Sequence, residues 1–114
     1  MIAIIFEVWP AEGRREEYLE RAAALKESLI DHPGFISVER FESLTTPGKM
    51  LSVSFFEDEA SVEAWRNRAG HRRQQAAGRS GVFSDYRLRV AEVMRDYGMT
   101  ERTEAPEDSR AAHD

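Results

Sequence analysis

The chain has 114 residues, of which 41% are apolar and 32% charged, a composition typical of a single globular domain. Its formal charge of −5 argues against nucleic acid as the main partner, because neutralising phosphates requires a surplus of lysine and arginine. The absence of cysteine excludes disulfides and thiolate nucleophiles. The first residues reach a charge at Glu7 and form neither a leader nor a membrane span, so we expect a cytoplasmic protein.

The first half of the chain predicts a strand, a helix and a hairpin. Residues 2–9 are a β-branched and aromatic run that ends at a proline. From residue 13 to 31, apolar side chains recur at the three-and-four spacing of one helical face. Residues 35–42 and 50–56 are strand-like and flank a Pro-Gly turn, which predicts an antiparallel pair.

The second half predicts a capped helix, a break and a long strand. Asp58 can accept hydrogen bonds from the free amides of a second helix, which Gly70 interrupts. A further helical piece is expected at residues 71–77 and a last strand at residues 82–96. We expect residues 1–98 to form the domain and residues 99–114 a disordered charged tail, since the tail has almost nothing to bury.

The predicted order β-α-β-β-α-β is that of an α+β ferredoxin-like fold, an antiparallel sheet with both helices on one face. The other face cannot remain in water if it is apolar. In the first strand, apolar residues occur on both sides, with Ile4 and Phe6 on one and Ala3 and Ile5 on the other. We therefore expect a homodimer in which two such sheets cover each other.

The residues of these segments resemble the antibiotic biosynthesis monooxygenase (ABM) domain family. The similarity lies in residues 2–8, 34–41, 54–56, 64–66 and 86–90, together with His71, and it covers about residues 1–98. The resemblance implies a dimeric α+β barrel in which each subunit holds a small pocket between its sheet and its helices. It identifies a fold more strongly than a reaction, because members of one fold family catalyse different reactions or none.

Trp65 and His71 are the candidate catalytic residues. An indole at helical spacing is most often part of the core, but its N–H can also hold a substrate oxygen. An imidazole can remove a phenolic or enolic proton near neutral pH, although a lone histidine is more often simply solvated. The resemblance places a tryptophan at Trp65 and a proton-handling residue near His71, with Ser61 where relatives have a substrate-orienting asparagine. The expected apolar walls of the pocket are Phe6, Phe83 and Tyr86.

Other functions find less support in the sequence. The haem-degrading branch of the same fold implies an asparagine and an axial histidine where this chain has Phe6 and Gln75, neither of which can take those roles. The three histidines are too scattered to predict a metal centre. An arginine-rich segment from Arg66 to Arg79 is best interpreted as a solvated helix face.

These observations predict a monooxygenase that needs no metal or flavin and uses dioxygen on a small electron-rich phenol, quinol or enolisable substrate. In this hypothesis His71 is the base and Trp65 holds an oxygen atom. The alternative is a non-catalytic homodimer that binds a small apolar metabolite or has only a structural role. The sequence does not decide between the two.

Overall fold

A computed structural model describes residues 1–68, 76 and 81–113 of the chain. Its elements are β1 (Ile2–Pro10), α1 (Arg15–Leu29), β2 (Phe35–Glu42), β3 (Met50–Phe56), α2 (Glu59–Arg66), β4 (Phe83–Glu92) and α3 (Glu107–His113). The first six follow the predicted β-α-β-β-α-β order. The strands form one sheet in the order β2-β3-β1-β4, and every neighbouring pair is antiparallel. The predicted α+β ferredoxin-like fold is therefore confirmed.

Both long helices pack on the same face of the sheet. Because side chains alternate along a strand, every second residue of β1, from Ile2 to Val8, points to this face. Two apolar clusters hold the helices there. The first cluster contains Ile2, Leu29, Phe56, Val62 and Trp65, and the second contains Val8, Tyr18, Ala22, Met50 and Val82. The clusters lie toward opposite ends of β1, since Ile2 belongs to one and Val8 to the other.

The last strand is shorter than the sequence predicted. It ends at Glu92 rather than at residue 96, because its partner β1 begins at Ile2, which pairs with Glu92. One more bond follows, from the Val93 amide to the Met1 carbonyl at 2.9 Å. The helical piece predicted at residues 71–77 lies outside the described residues, apart from Ala76, which is helical.

The tail contains a helix where the sequence predicted disorder. α3 begins after Pro106, whose carbonyl accepts a hydrogen bond from the Arg110 amide at 2.9 Å. Proline is favourable at the start of a helix, and the acidic residues Glu107 and Asp108 in the first turn suit the helix dipole. Ala105, just before it, is buried. Local helix signals in this short stretch therefore order it despite its polar composition.

The face of the sheet that the helices leave uncovered is partly apolar. Ile5, Leu51, Val53 and Phe55 on this face are half-buried in the single chain. An ionic cluster lies among them: the carboxylate of Glu7 lies 3.3 Å from Lys49 Nζ and 3.3 Å from Arg89 Nη1. Hydrogen bonding to Lys49, with a smaller contribution from Arg89, lowers the pKa of Glu7 although burial opposes this.

No helix in the described part of the chain combines the length and the apolar character that crossing a membrane requires.

Candidate functional site

A cavity of about 400 Å³ lies between the helix-covered face of the sheet and the helices α1 and α2. This volume is within the range of ligand-binding pockets. Its walls come from all four strands and both helices, and most of them are apolar. A cavity of this kind, between a sheet and two helices, is the type of site in which a small molecule can bind.

The floor of the cavity consists of two rows of side chains that cross the sheet. The strand register aligns one row as Arg40, Ser52, Phe6 and Leu88. It aligns the next row as Val38, Ser54, Ile4 and Val90. In β3 the two central positions are therefore serines, while Met50 and Phe56 occupy the same face on either side. The small serine side chains leave the space that larger residues would fill.

An aromatic cluster forms one end of the cavity. The ring of Phe6 meets Phe83 and Tyr86 edge-on, with centroids 5.8 and 5.7 Å away, and Phe83 also contacts Tyr18 at 5.6 Å. Such edge-to-face contacts fix the orientation of each ring. All three residues predicted as pocket walls, Phe6, Phe83 and Tyr86, line the cavity.

Trp65 belongs to the first of the two apolar clusters, the one that contains Ile2 and Phe56. It is 7% exposed, packs against the first apolar cluster and also lines the cavity. The two interpretations offered by the sequence, core residue and pocket residue, thus describe the same side chain. The Arg68 guanidinium lies 5.1 Å from the ring centroid, which adds a cation–π contact on the side chain.

His32 supports Trp65 and was not identified from the sequence as part of the site. Its ring centroid lies 5.6 Å from that of Trp65, and its Nε2 donates a hydrogen bond to the Ser61 carbonyl at 2.9 Å. Arg68 Nη1 lies 3.4 Å from the other ring nitrogen. A contact across 29 residues leaves no local pattern from which it could be predicted.

Ser61 forms part of the cap at the start of α2 and does not line the cavity. Its amide donates to the Asp58 carboxylate at 2.8 Å and its hydroxyl donates to the Asp58 carbonyl at 2.8 Å, which forms the predicted cap. The bond from the Ser61 amide lowers the pKa of Asp58. Ser61 is not among the residues that line the cavity. The hydroxyl predicted to orient a substrate is thus used within the fold.

The predicted base His71 lies outside the described residues. It follows Trp65 by six positions in the sequence and comes shortly after the end of α2 at Arg66. Its assignment therefore stays a prediction from the sequence and the family resemblance.

The polar part of the cavity is basic, which the sequence analysis missed. Arg21, Arg40 and Arg66 line it, and no described lining residue is acidic. The Arg40 guanidinium lies near the hydroxyl of the buried Tyr18. Burial raises the pKa of Tyr18, although Arg40 opposes the shift, so the phenol stays protonated near neutral pH. The sequence pattern that could have predicted Arg40 as a lining residue is the alternation of β2, which puts Arg40 on the same face as Val38.

Among the described residues, no group of three or more acidic, histidine or cysteine side chains is placed to hold a metal ion.

The structure defines a ferredoxin-like α+β protein with a cavity between its sheet and its helices. Residues 1–77 match the sequence profile of the family described as antibiotic biosynthesis monooxygenase. The chain belongs to this family, and the resemblance seen in the sequence is confirmed.

Two relatives illustrate how far the similarity extends. Jasmonate monooxygenase ABM of Pyricularia oryzae is 44% identical over 93 residues, which are 82% of this chain and 43% of that protein. The chain thus spans less than half the length of that relative. YqjZ of Bacillus subtilis, an uncharacterized protein, is 30% identical over 86 residues, which are 75% of this chain and 74% of YqjZ.

Solved structures share the fold at low sequence identity. A candidate antibiotic biosynthesis monooxygenase from Deinococcus radiodurans superposes with a TM-score of 0.78 at 11% identity, over 86% of this chain and 97% of its own. Rv0793 from Mycobacterium tuberculosis gives a TM-score of 0.76 at 13% identity, over 85% and 98% of the two chains. At this level of identity the likeness shows the fold alone.

Proposed function

We propose that the protein is a monooxygenase that inserts one atom of dioxygen into a small, mostly apolar substrate held in the cavity. The observation that carries this proposal is the cavity of about 400 Å³, which Trp65 and an aromatic cluster line in a chain of the monooxygenase family. The family membership supports the reaction class, and the apolar walls support the substrate class.

The substrate in this proposal is an electron-rich phenol or quinol, or a ketone that can enolise. Such compounds can be converted to carbanions or phenolates, which pass electrons to dioxygen without help from a metal or flavin. The relative from Pyricularia oryzae is a jasmonate monooxygenase. Jasmonate contains a cyclopentanone ring, so a ketone of that kind is the first substrate class to test here.

The reaction balances without an external reductant. A phenolic C–H becomes a quinone carbonyl, or a CH₂ beside a ketone becomes a second carbonyl. One oxygen atom enters the product and the other leaves as water, and the substrate supplies all four electrons. His71 would remove the first proton, from the phenol hydroxyl or from the carbon next to the ketone.

The remaining residues of the proposed site would bind and orient the substrate. The indole N–H of Trp65 would donate to the oxygen atom on which negative charge develops. Phe6, Phe83 and Tyr86 would hold the apolar body of the substrate and limit contact of the anion with water, which would otherwise reprotonate it. Ser61 has no part in this scheme, because its hydroxyl is used in the helix cap.

The test is oxygen uptake in air by protein treated with a chelator and freed of flavin, over a panel of hydroxylated aromatics and cyclopentanones. With ¹⁸O₂ we expect one labelled atom per product molecule, and we expect His71→Ala to lose at least about tenfold in kcat. His113→Ala is the matched control and should keep full activity. The proposal is wrong if no compound supports uptake. A bound ligand without uptake would instead favour the non-catalytic binding protein.

We also propose that the functional unit is a homodimer. The half-buried apolar residues on the uncovered face of the sheet support it, because such a surface is unfavourable in water. Val53 pairs with Ile5 in the middle of this face. Val53→Arg should therefore give a monomer in sedimentation velocity, whereas Leu44→Arg, at a fully exposed position, should not change the mass. A wild-type protein that sediments as a monomer would contradict the proposal.

A further inference from the structure

We propose that the cavity selects substrates that carry a carboxylate, and that Arg40 is the residue that binds it. This inference rests on the proposed function of the same site and specifies its substrate class. The compound it describes is a monocarboxylic acid with a mostly apolar carbon skeleton.

The described lining of the cavity is positively charged. Three arginines line it and no described lining residue is acidic. Among the residues that the structure does not describe, 69–75 and 77–80 contain no aspartate or glutamate, and Asp114 is the last residue of the chain. An apolar cavity whose described lining carries arginines and no acid attracts an anion, because charges interact strongly where water is scarce.

Arg40 differs from the other two arginines of the cavity. Arg21 Nη2 lies 3.2 Å from the Glu17 carboxylate, which Arg14 also pairs with at 2.8 Å, so the charge of Arg21 is partly compensated. Arg66 lines the cavity but is exposed, where water screens its charge. Arg40, in contrast, forms no ion pair with any carboxylate in the described part of the chain, and its buried Nε has no hydrogen-bond partner there. A half-buried guanidinium without a counter-ion is unfavourable, and a ligand carboxylate would relieve that cost.

Arg40 and Tyr18 line the same cavity, and the guanidinium lies near the Tyr18 hydroxyl. A guanidinium presents parallel N–H groups that match the two oxygens of a carboxylate. The protonated Tyr18 hydroxyl can donate its own hydrogen to the same anion. Arg40 and Tyr18 thus offer several donors and no negative charge, which suits a carboxylate and not a cation.

The position of Arg40 also orients the substrate. It begins the row that continues through Ser52 to Phe6 across the floor of the cavity. A carboxylate bound to Arg40 therefore places the apolar body of the acid over Ser52 and against Phe6. Trp65 belongs to the cluster toward the opposite end of β1. The oxidised carbon should accordingly lie on the part of the molecule remote from its carboxylate.

The experiment compares a cyclopentanone acetic acid bearing a pentyl side chain with its methyl ester, which lacks the negative charge and carries one more methyl group. Binding is measured by calorimetry without oxygen, so that turnover does not contribute. We expect the wild-type protein to bind the acid at least about tenfold more tightly than the ester. Arg40→Met should abolish this preference, and Arg40→Lys should retain only part of it because lysine lacks the paired donors.

Arg15→Met is the matched control. Arg15 lies on α1 in an exposed pair with Glu42, 3.6 Å away, and is not a lining residue, so the preference for the acid should persist. Circular dichroism and the thermal midpoint verify that each variant is folded. Equal binding of acid and ester by the wild-type protein, binding of neither, or an unchanged preference in Arg40→Met would each overturn the inference.

Failure of this inference is distinguishable from failure of the proposed function. Oxygen uptake with the ester as rapid as with the acid would overturn the role of Arg40 and leave the monooxygenase. Selective binding of the acid with no oxygen uptake would leave the role of Arg40 and overturn the proposed monooxygenase.

Discussion

The imidazole of His32 packs edge-on against the indole of Trp65, with ring centroids 5.6 Å apart and an angle of 68° between the rings. The same imidazole is tied to α2 by its hydrogen bond to the Ser61 carbonyl. His32 follows α1, whereas Trp65 lies on α2, so this contact joins the two helices at the wall of the cavity.

Replacement of His32 by leucine should loosen Trp65. It removes the bond to Ser61 and leaves a buried carbonyl without that donor, which costs about 1–3 kcal/mol of unfolding free energy. In a Trp9→Phe background, the fluorescence of Trp65 alone should shift to longer wavelength and its anisotropy should fall. His32→Gln, whose amide can donate to the same carbonyl, should show a smaller effect. Equal stability and equal fluorescence of all three proteins would contradict the role assigned to His32.

The serines on the cavity floor yield a prediction about volume. Ser54→Leu should fill part of the cavity and block ligand binding, while the protein stays folded because the new side chain enters existing space. Its thermal midpoint should equal or exceed that of the wild-type protein. Ser54→Ala, which removes the hydroxyl without filling space, should bind ligand nearly as the wild-type protein does. If Ser54→Leu binds normally, the ligand lies elsewhere.

The sequence predicted the parts of this site that repeat along one element. Alternation in the first strand placed Phe6 on the same face as Ile4, and helical spacing made Trp65 a core candidate, whereas the expectation of a pocket came from the family resemblance. The sequence did not predict which distant elements come together: His32 bonds to Ser61, and Arg40 lies near Tyr18. Such pairs depend on how α1 lies across the sheet, and local patterns of hydrophobicity carry no information about that packing.

For Ser61, the family resemblance and the local sequence motif indicate different roles. Family resemblance placed it at a substrate-orienting position, but its spacing from Asp58 equally fits a capping box. The local interaction prevails because it satisfies backbone amides at the start of α2 that would otherwise lack partners. Where a resemblance and a local motif compete for one side chain, the local motif should be weighed first.

The cap of α2 predicts a dependence of stability on pH. The pKa of Asp58 is lower in the folded protein than in the unfolded chain, where it is about 3.9. The stabilisation of the folded protein by ionised Asp58 is therefore fully present above its unfolded pKa. It is lost as the pH falls through its folded pKa. Urea unfolding between about pH 7 and pH 3 should show a wild-type advantage over Asp58→Asn that shrinks at the acid end. A difference that is constant with pH would contradict the assigned ionic cap.

Gly34 lies close to α2. Gly34 has a φ of +85°, and a Cβ added there would lie 2.7 Å from the Ser61 Oγ. Gly48 has a similar φ of +78°, but a Cβ there would have no neighbour within 4 Å. Gly48→Ala should therefore cost only the backbone term of about 1–2 kcal/mol. Gly34→Ala should cost about 1–3 kcal/mol more, because α2 and its cap must move away from β2. Chemical denaturation of the two variants isolates the contact, since the backbone terms nearly cancel. If both alanines cost the same, the helix that carries Trp65 is not held against β2 as tightly as the structure indicates.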